Sequence, residues 1–289
     1  MSDPYAGVET IVLSEPLLKT QCILGEGPCT IRARTLHFLD IIRSKVYNYH
    51  LGSKELVVHD YDEVTALAIR ADTPGFACAA ARGFGLLHPP STPSEKGHVE
   101  YLATPLTAEQ EAKTRFNDGH AMPGAVSLLE LWRTKTPRGF VVELWNWRRG
   151  RSDSNGLGWT LDNKIMYYTN SRHSQILAYD YDIETGNVSD GLCFDTEGGL
   201  ERTLEGLQAG PLFFRGKTNA CSSNPGALNV TACTFGGPNN DRLFVTTASP
   251  EASPEANASL SDYPQSGDLF EVELKGRYKG SKWRHEFRA

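Results

Sequence analysis

The chain has 289 residues and a formal net charge of −6, with a pI near 5.8. This is room for one large domain or two small ones, and the acidic balance argues against a nucleic-acid partner, because phosphate binding needs a basic face. No apolar run is long enough to span a bilayer, and Met1-Ser2-Asp3-Pro4-Tyr5 has neither the basic nor the apolar region of a signal peptide. Six cysteines without a CxxC pair fit a reduced interior, so a cytoplasmic location is expected. Cys78, Cys193 and Cys233 stand in apolar stretches and read as small core residues.

Short strands separated by turns dominate the chain. Thr35–Ile41 alternates, and His37 within it is expected to be structural. Lys45–His50 alternates again and meets the turn Leu51–Lys54; Glu55–His59, Ala66–Arg70 and Gly75–Ala80 continue the series. The one expected helix is short, Thr107–Lys113. Trp145–Arg151 interleaves aromatics with arginines and reads as a basic loop. The clearest hairpin joins Ile165–Thr169 to Gln175–Asp182, followed by the turn Glu184–Asn187, and Asp241–Thr247 echoes it. Ser249–Ser266, rich in Ser, Pro and Ala, is expected to be an exposed loop before the closing strand Gly267–Leu274. Imperfect repetition in an all-β chain predicts a β-propeller, and blades of roughly 45 residues make about six at this length.

Four segments carry the chemistry: Leu24-Gly25-Glu26-Gly27-Pro28, Arg115-Phe116-Asn117-Asp118-Gly119, Ser154-Asn155-Gly156-Leu157-Gly158-Trp159 and Asp190-Gly191-Leu192-Cys193. Each pairs an oxygen-bearing side chain with glycine. Oxygen donors suit hard or borderline divalent cations, and glycine lets a strand end turn sharply to present them. Glu26, Asn155 and Asp190 thus make a candidate metal site with open positions. Taken singly, Asn155-Gly156 and Asp190-Gly191 are ordinary turn dipeptides. The sequence contains no HExxH, GxSxG, phosphate-binding loop or dinucleotide fingerprint.

In their order, these segments resemble the family of senescence marker protein (regucalcin), gluconolactonase and luciferin-regenerating enzyme. LGEGP, RFNDG, SNGLGW with DNKIMYYTNS, AYDYDIETGNVS, DGLCFDTEGG and TACTFGGPNNDRLFVTTA cover roughly two-thirds of the chain. The resemblance implies a single-domain, six-bladed β-propeller over residues 1–289 with one divalent metal (Ca²⁺, Zn²⁺, Mn²⁺ or Mg²⁺) in its channel. It also implies hydrolysis of a small sugar-type or related lactone. It carries metal-ligand roles to Glu26, Asn155 and Asp190, the general-base role to Asp190, and substrate-oxygen contacts to Arg115 and Asn117. Neither nucleic acid nor membrane is an implied partner, and the oligomeric state is not readable.

Two segments depart from the family. Residues 120–151 stand where a strand reading approximately GRFWAGTM is expected, and residues 200–226 where WSARW and two strands are expected. Blades there are expected to be irregular or incomplete, which raises an alternative: a metal- or ligand-binding propeller without turnover. A codon set for Ala125–Trp132 exists that, read two bases later, encodes Arg-Phe-Ser-Ala-Gly-Thr-Met. Another, for the stretch beginning at Gly199, read one base later, encodes Val-Trp-Ser-Ala-Arg-Trp. An out-of-frame origin of both segments is the hypothesis; a transcript encoding this chain, from a locus without the shifted frames, refutes it. Val188-Ser189 also runs straight into Asp190, where the family has a further strand and loop.

Overall fold

The computed structural model describes residues 9–13, 15–31, 34–71, 73–92, 94–111, 116, 154–160, 162–170, 175–184, 188–193, 212–214, 220–223, 226–252, 258–274, 279–280 and 286. Strands β2 (Gly25–Ile31), β3 (Thr35–Asp40), β4 (Lys45–His50) and β5 (Leu56–Asp60) form an antiparallel sheet in chain order. Strands β6 (Ala66–Ile69), β7 (Phe76–Ala80), β8 (Gly83–His88) and β9 (His98–Ala103) repeat the pattern. So do β10 (Ser154–Trp159), β11 (Ile165–Asn170), β12 (Gln175–Tyr181) and β13 (Val188–Cys193). A three-stranded sheet follows from β16 (Asn229–Gly236), β17 (Arg242–Ala248) and β18 (Phe270–Glu273). In the fifth sheet β14 (Leu212–Phe214) pairs with β15 (Ala220–Ser223), and β1 (Glu9–Val12) joins β15 in parallel.

The first strands of three sheets face one another, for β2 packs against both β16 and β6. Strand β3 shows why the sheets stack. Its alternation sends Leu36 and Phe38 to a cluster with Phe244 and Leu269 of the last sheet, and Leu39 to a cluster with Leu67 and Phe76 of the next. Both faces are therefore buried, whereas the outer strand β5 leaves Leu56, Val57 and Val58 38–40% exposed. Successive four-stranded antiparallel sheets packed face to face, first strands inward, are consistent with a β-propeller.

The start of the chain is tied to its last sheet. Leu18 and Leu269 exchange backbone hydrogen bonds of 3.2 and 3.1 Å, and Cys22 N donates to Gly267 O at 2.8 Å. Local alternation anticipates β3, β4, β6, β7, β11 and β12 to within a residue or two of their ends. Of the expected helix Thr107–Lys113 the structure describes Ala108–Glu111 as helical, and residues 112 and 113 lie outside the described residues. Among its described residues the loop 249–266 is exposed as expected at 251, 259–262 and 264, and it is anchored at its ends, where Ser249, Pro250 and Ser266 are buried and Ser266 Oγ accepts the Leu228 amide at 2.9 Å. Leu260 is exposed. Residues 120–151 lie outside the described residues, while 200–226 contributes β14 and β15. Among the described residues no helix is long and apolar enough to cross a membrane.

Candidate metal centre

Glu26 is the second residue of β2. It pairs with Leu39, and one extra residue is inserted in β2 between Glu26 and Cys29. Such a bulge bends a strand and re-aims the side chains beside it. Gly27, with φ of 56°, supplies the left-handed backbone there, and its amide donates to Glu26 Oε2 at 3.2 Å. The preceding Gly25 lies so close to β17 that a Cβ would stand 2.7 Å from the Thr247 carbonyl oxygen. The Gly-Glu-Gly order thus has a local cause: one glycine permits close approach, the other the bend, and Glu26 is half-buried between them.

Asn155 occupies the matching place on β10. It too is the second residue of a first strand, paired with Thr169, and one extra residue follows before Leu157. The same geometry recurs on β16, where Val230 pairs with Thr247 and the extra residue is Thr231. Val230 packs against an apolar cluster and brings no donor. Two of the three equivalent positions therefore carry oxygen-bearing residues.

Asp190 stands elsewhere. It lies in β13, within an irregularity between the pairs Tyr179–Leu192 and Tyr181–Val188. Strand β13 pairs with β12, at the edge of the sheet opposite β10. At the usual strand spacing the two edges are roughly 14 Å apart. The backbone thus gives Glu26 and Asn155 one structural position and Asp190 another. Arg115 and Asn117 fall outside the described residues; Phe116 between them packs its ring 4.6 Å from Phe84 of β8.

Sequence reading missed the support behind Glu26. Asp40, at the end of β3, is fully buried. Its carboxylate accepts the amides of Ile23 (2.9 Å), Leu24 (3.3 Å) and Arg43 (3.2 Å), and Arg43 Nη1 at 3.3 Å. The Thr231 hydroxyl donates to the Gly25 carbonyl. The only local sign of Asp40's role was a carboxylate closing an otherwise apolar alternation.

Carboxylate and amide oxygens at such positions fit a hard divalent cation. Thiolates are not on offer nearby: burial pushes the Cys22 thiol up to about 11 and that of Cys29 to about 12. Among the described residues, no group of three or more His, Cys, Asp or Glu side chains could hold a metal ion. His37 is structural as expected, buried, with Nδ1 2.6 Å from Asn48 Oδ1 and its ring edge-on to Phe76.

The SMP-30/Gluconolactonase/LRE-like region matches residues 24–128 and 142–249, and the chain belongs to this family. The unmatched residues between fall inside the departing segment 120–151; the other departing segment, 200–226, lies within the match. Regucalcin of Danio rerio is 26% identical over 295 residues, covering 88% of this chain and 94% of the relative. Regucalcin of Oryctolagus cuniculus is 28% identical, covering 89% and 93%. Among solved structures, a calcium-binding protein, regucalcin from Agrobacterium tumefaciens, superposes with a TM-score of 0.66 at 19% identity, covering 98% of this chain and all of that one. A luciferin-regenerating enzyme reaches 0.65 at 21%, covering 95% and 99%. These likenesses support the propeller-type fold.

Proposed function

We propose that this protein is a divalent-metal-dependent lactone hydrolase built on a six-bladed propeller. The observation that carries this is the shared position of Glu26 and Asn155, each the second residue of a first strand and each followed by a bulge. Family membership supplies the lactonase reading, and the calcium-binding relative supports a divalent ion. Glu26 and Asn155 would hold the cation, and the family resemblance adds Asp190 as the third ligand, a role that requires its strand to lie inward of the edge position described above. When bound, the cation would polarise the lactone carbonyl and make water easier to deprotonate. Arg115 and Asn117 would hold the substrate's hydroxyl or carbonyl oxygens, which fixes the ring for attack. Asp190 would take the proton of the attacking water at a carboxylate oxygen. The test is metal-dependent hydrolysis of aldonolactones by the parent, Glu26→Ala and Asp190→Ala proteins. Loss of turnover in both variants supports the assignment, and full activity in either rejects it.

One observation favours a second reading, a propeller that binds a metal or small ligand without turnover. Strand β13 pairs with β12, which sets Asp190 at the sheet edge far from Asn155. A working base would need that strand to hold an inner position. Calcium binding that is abolished by Glu26→Ala, but untouched by Asp190→Ala and unaccompanied by lactone turnover, selects this reading.

A further inference from the structure

We propose that Asp40 is the positioning residue for the metal ligand Glu26, an inference that rests on the reading of Glu26 as a ligand. Pairing of Gly25 with Asp40 already sets the strand register. The Ile41 amide, donating to Leu24 O at 3.0 Å, continues that ladder. What the carboxylate adds is the path by which the chain enters β2. Its two oxygens take the amides of Ile23 and Leu24, the residues immediately before Gly25-Glu26, while Arg43 binds the same oxygens through its backbone and guanidinium.

A fully buried carboxylate is costly unless its lone pairs are satisfied. Here they are, and every partner except Arg43 belongs to the segment that delivers Glu26. From the opposite side, Thr231 holds the Gly25 carbonyl, and the Thr247 carbonyl oxygen lies so near that a Cβ on Gly25 would stand 2.7 Å from it. The backbone leading into Glu26 is thus held by Asp40 of its own sheet and by Thr231 of the last. A ligand residue whose backbone is held this way starts from a fixed Cα position, and a displacement of even ~1 Å would forfeit much of that benefit. Asp40 acts through Glu26 and touches no reacting atom.

The test uses Tb³⁺ as a calcium-like luminescent probe on the full chain. Affinity is read by titration, coordinated water by comparing lifetimes in H₂O and D₂O, and folding by metal-free thermal melts. Asp40→Asn is expected to melt cooperatively, to bind Tb³⁺ about tenfold or more weakly, and to admit about one extra coordinated water as Glu26 withdraws. Glu26→Gln should weaken binding as well. Parental affinity in Asp40→Asn beside weakened Glu26→Gln overturns the positioning role, and so does weaker binding with an unchanged water count. Unchanged binding in Glu26→Gln instead rejects Glu26 as a ligand, a separate failure. Should Asp40→Asn not fold, Arg43→Met removes the guanidinium donor and leaves the carboxylate; weaker binding with added water there supports the role, and parental binding overturns it.

Discussion

The hydroxyl of Thr231, the extra residue in the bulge of β16, donates to the carbonyl of Gly25 on β2. It joins residues 206 positions apart and fixes the last sheet to the first at the residue preceding Glu26. Closure of the sheets and construction of the candidate site therefore share one contact.

Replacing Thr231 with valine keeps the shape and removes the donor. The Gly25 carbonyl is then left buried without that partner, a loss of about 1–3 kcal/mol. Urea unfolding of Thr231→Val should show this as a lower midpoint with an unchanged slope. A parental midpoint would mean that the contact contributes nothing to closure.

Gly25 should not tolerate a side chain. A Cβ there would stand 2.7 Å from the Thr247 carbonyl oxygen, which is backbone and cannot rotate away. Strands β2 and β17 must separate, with a cost of about 1–3 kcal/mol by analogy with overpacking. Gly25→Ala should melt at a lower temperature than the parent and bind calcium more weakly, because the shift falls beside Glu26. Calorimetry on the pair measures both effects, and a variant equal to the parent in both removes the close approach from the account.

His37 makes stability pH-dependent. Burial lowers its imidazole below the ordinary 6.5, against the opposing effect of the Asn48 hydrogen bond. The folded chain thus binds this proton less readily than the unfolded chain, and protons favour unfolding. Its contribution is complete above about pH 6.5 and is lost as the pH falls below, at no more than about 1.4 kcal/mol per pH unit. Urea melts at pH 7.5 and 5.5 should show a smaller acid loss in His37→Gln than in the parent. Equal losses would show that His37 accepts its proton in the folded state.

Much of this architecture is legible locally. A strand's alternation is written in neighbouring residues, so Lys45–His50 is found as β4 with its ends in place. Glycine either side of Glu26 likewise announces a sharp bend, and the structure puts a bulge there. Which strands become neighbours is another matter. Val188–Cys193 reads equally well as an inner or an outer strand; its pairing with β12 comes from contacts between separated segments.

By itself, then, the sequence determined the all-β class, most strand positions and the oxygen-bearing residues worth testing, because these depend on periodicity and side-chain chemistry over a few residues. Tertiary structure alone decided that Glu26 and Asn155 share a position, that Asp190 stands apart from Asn155, that β1 joins β15 in parallel, and that Asp40 and Thr231 grip the entry to β2. These are matters of which distant backbone groups must satisfy one another's hydrogen bonds once buried, and no local pattern records them.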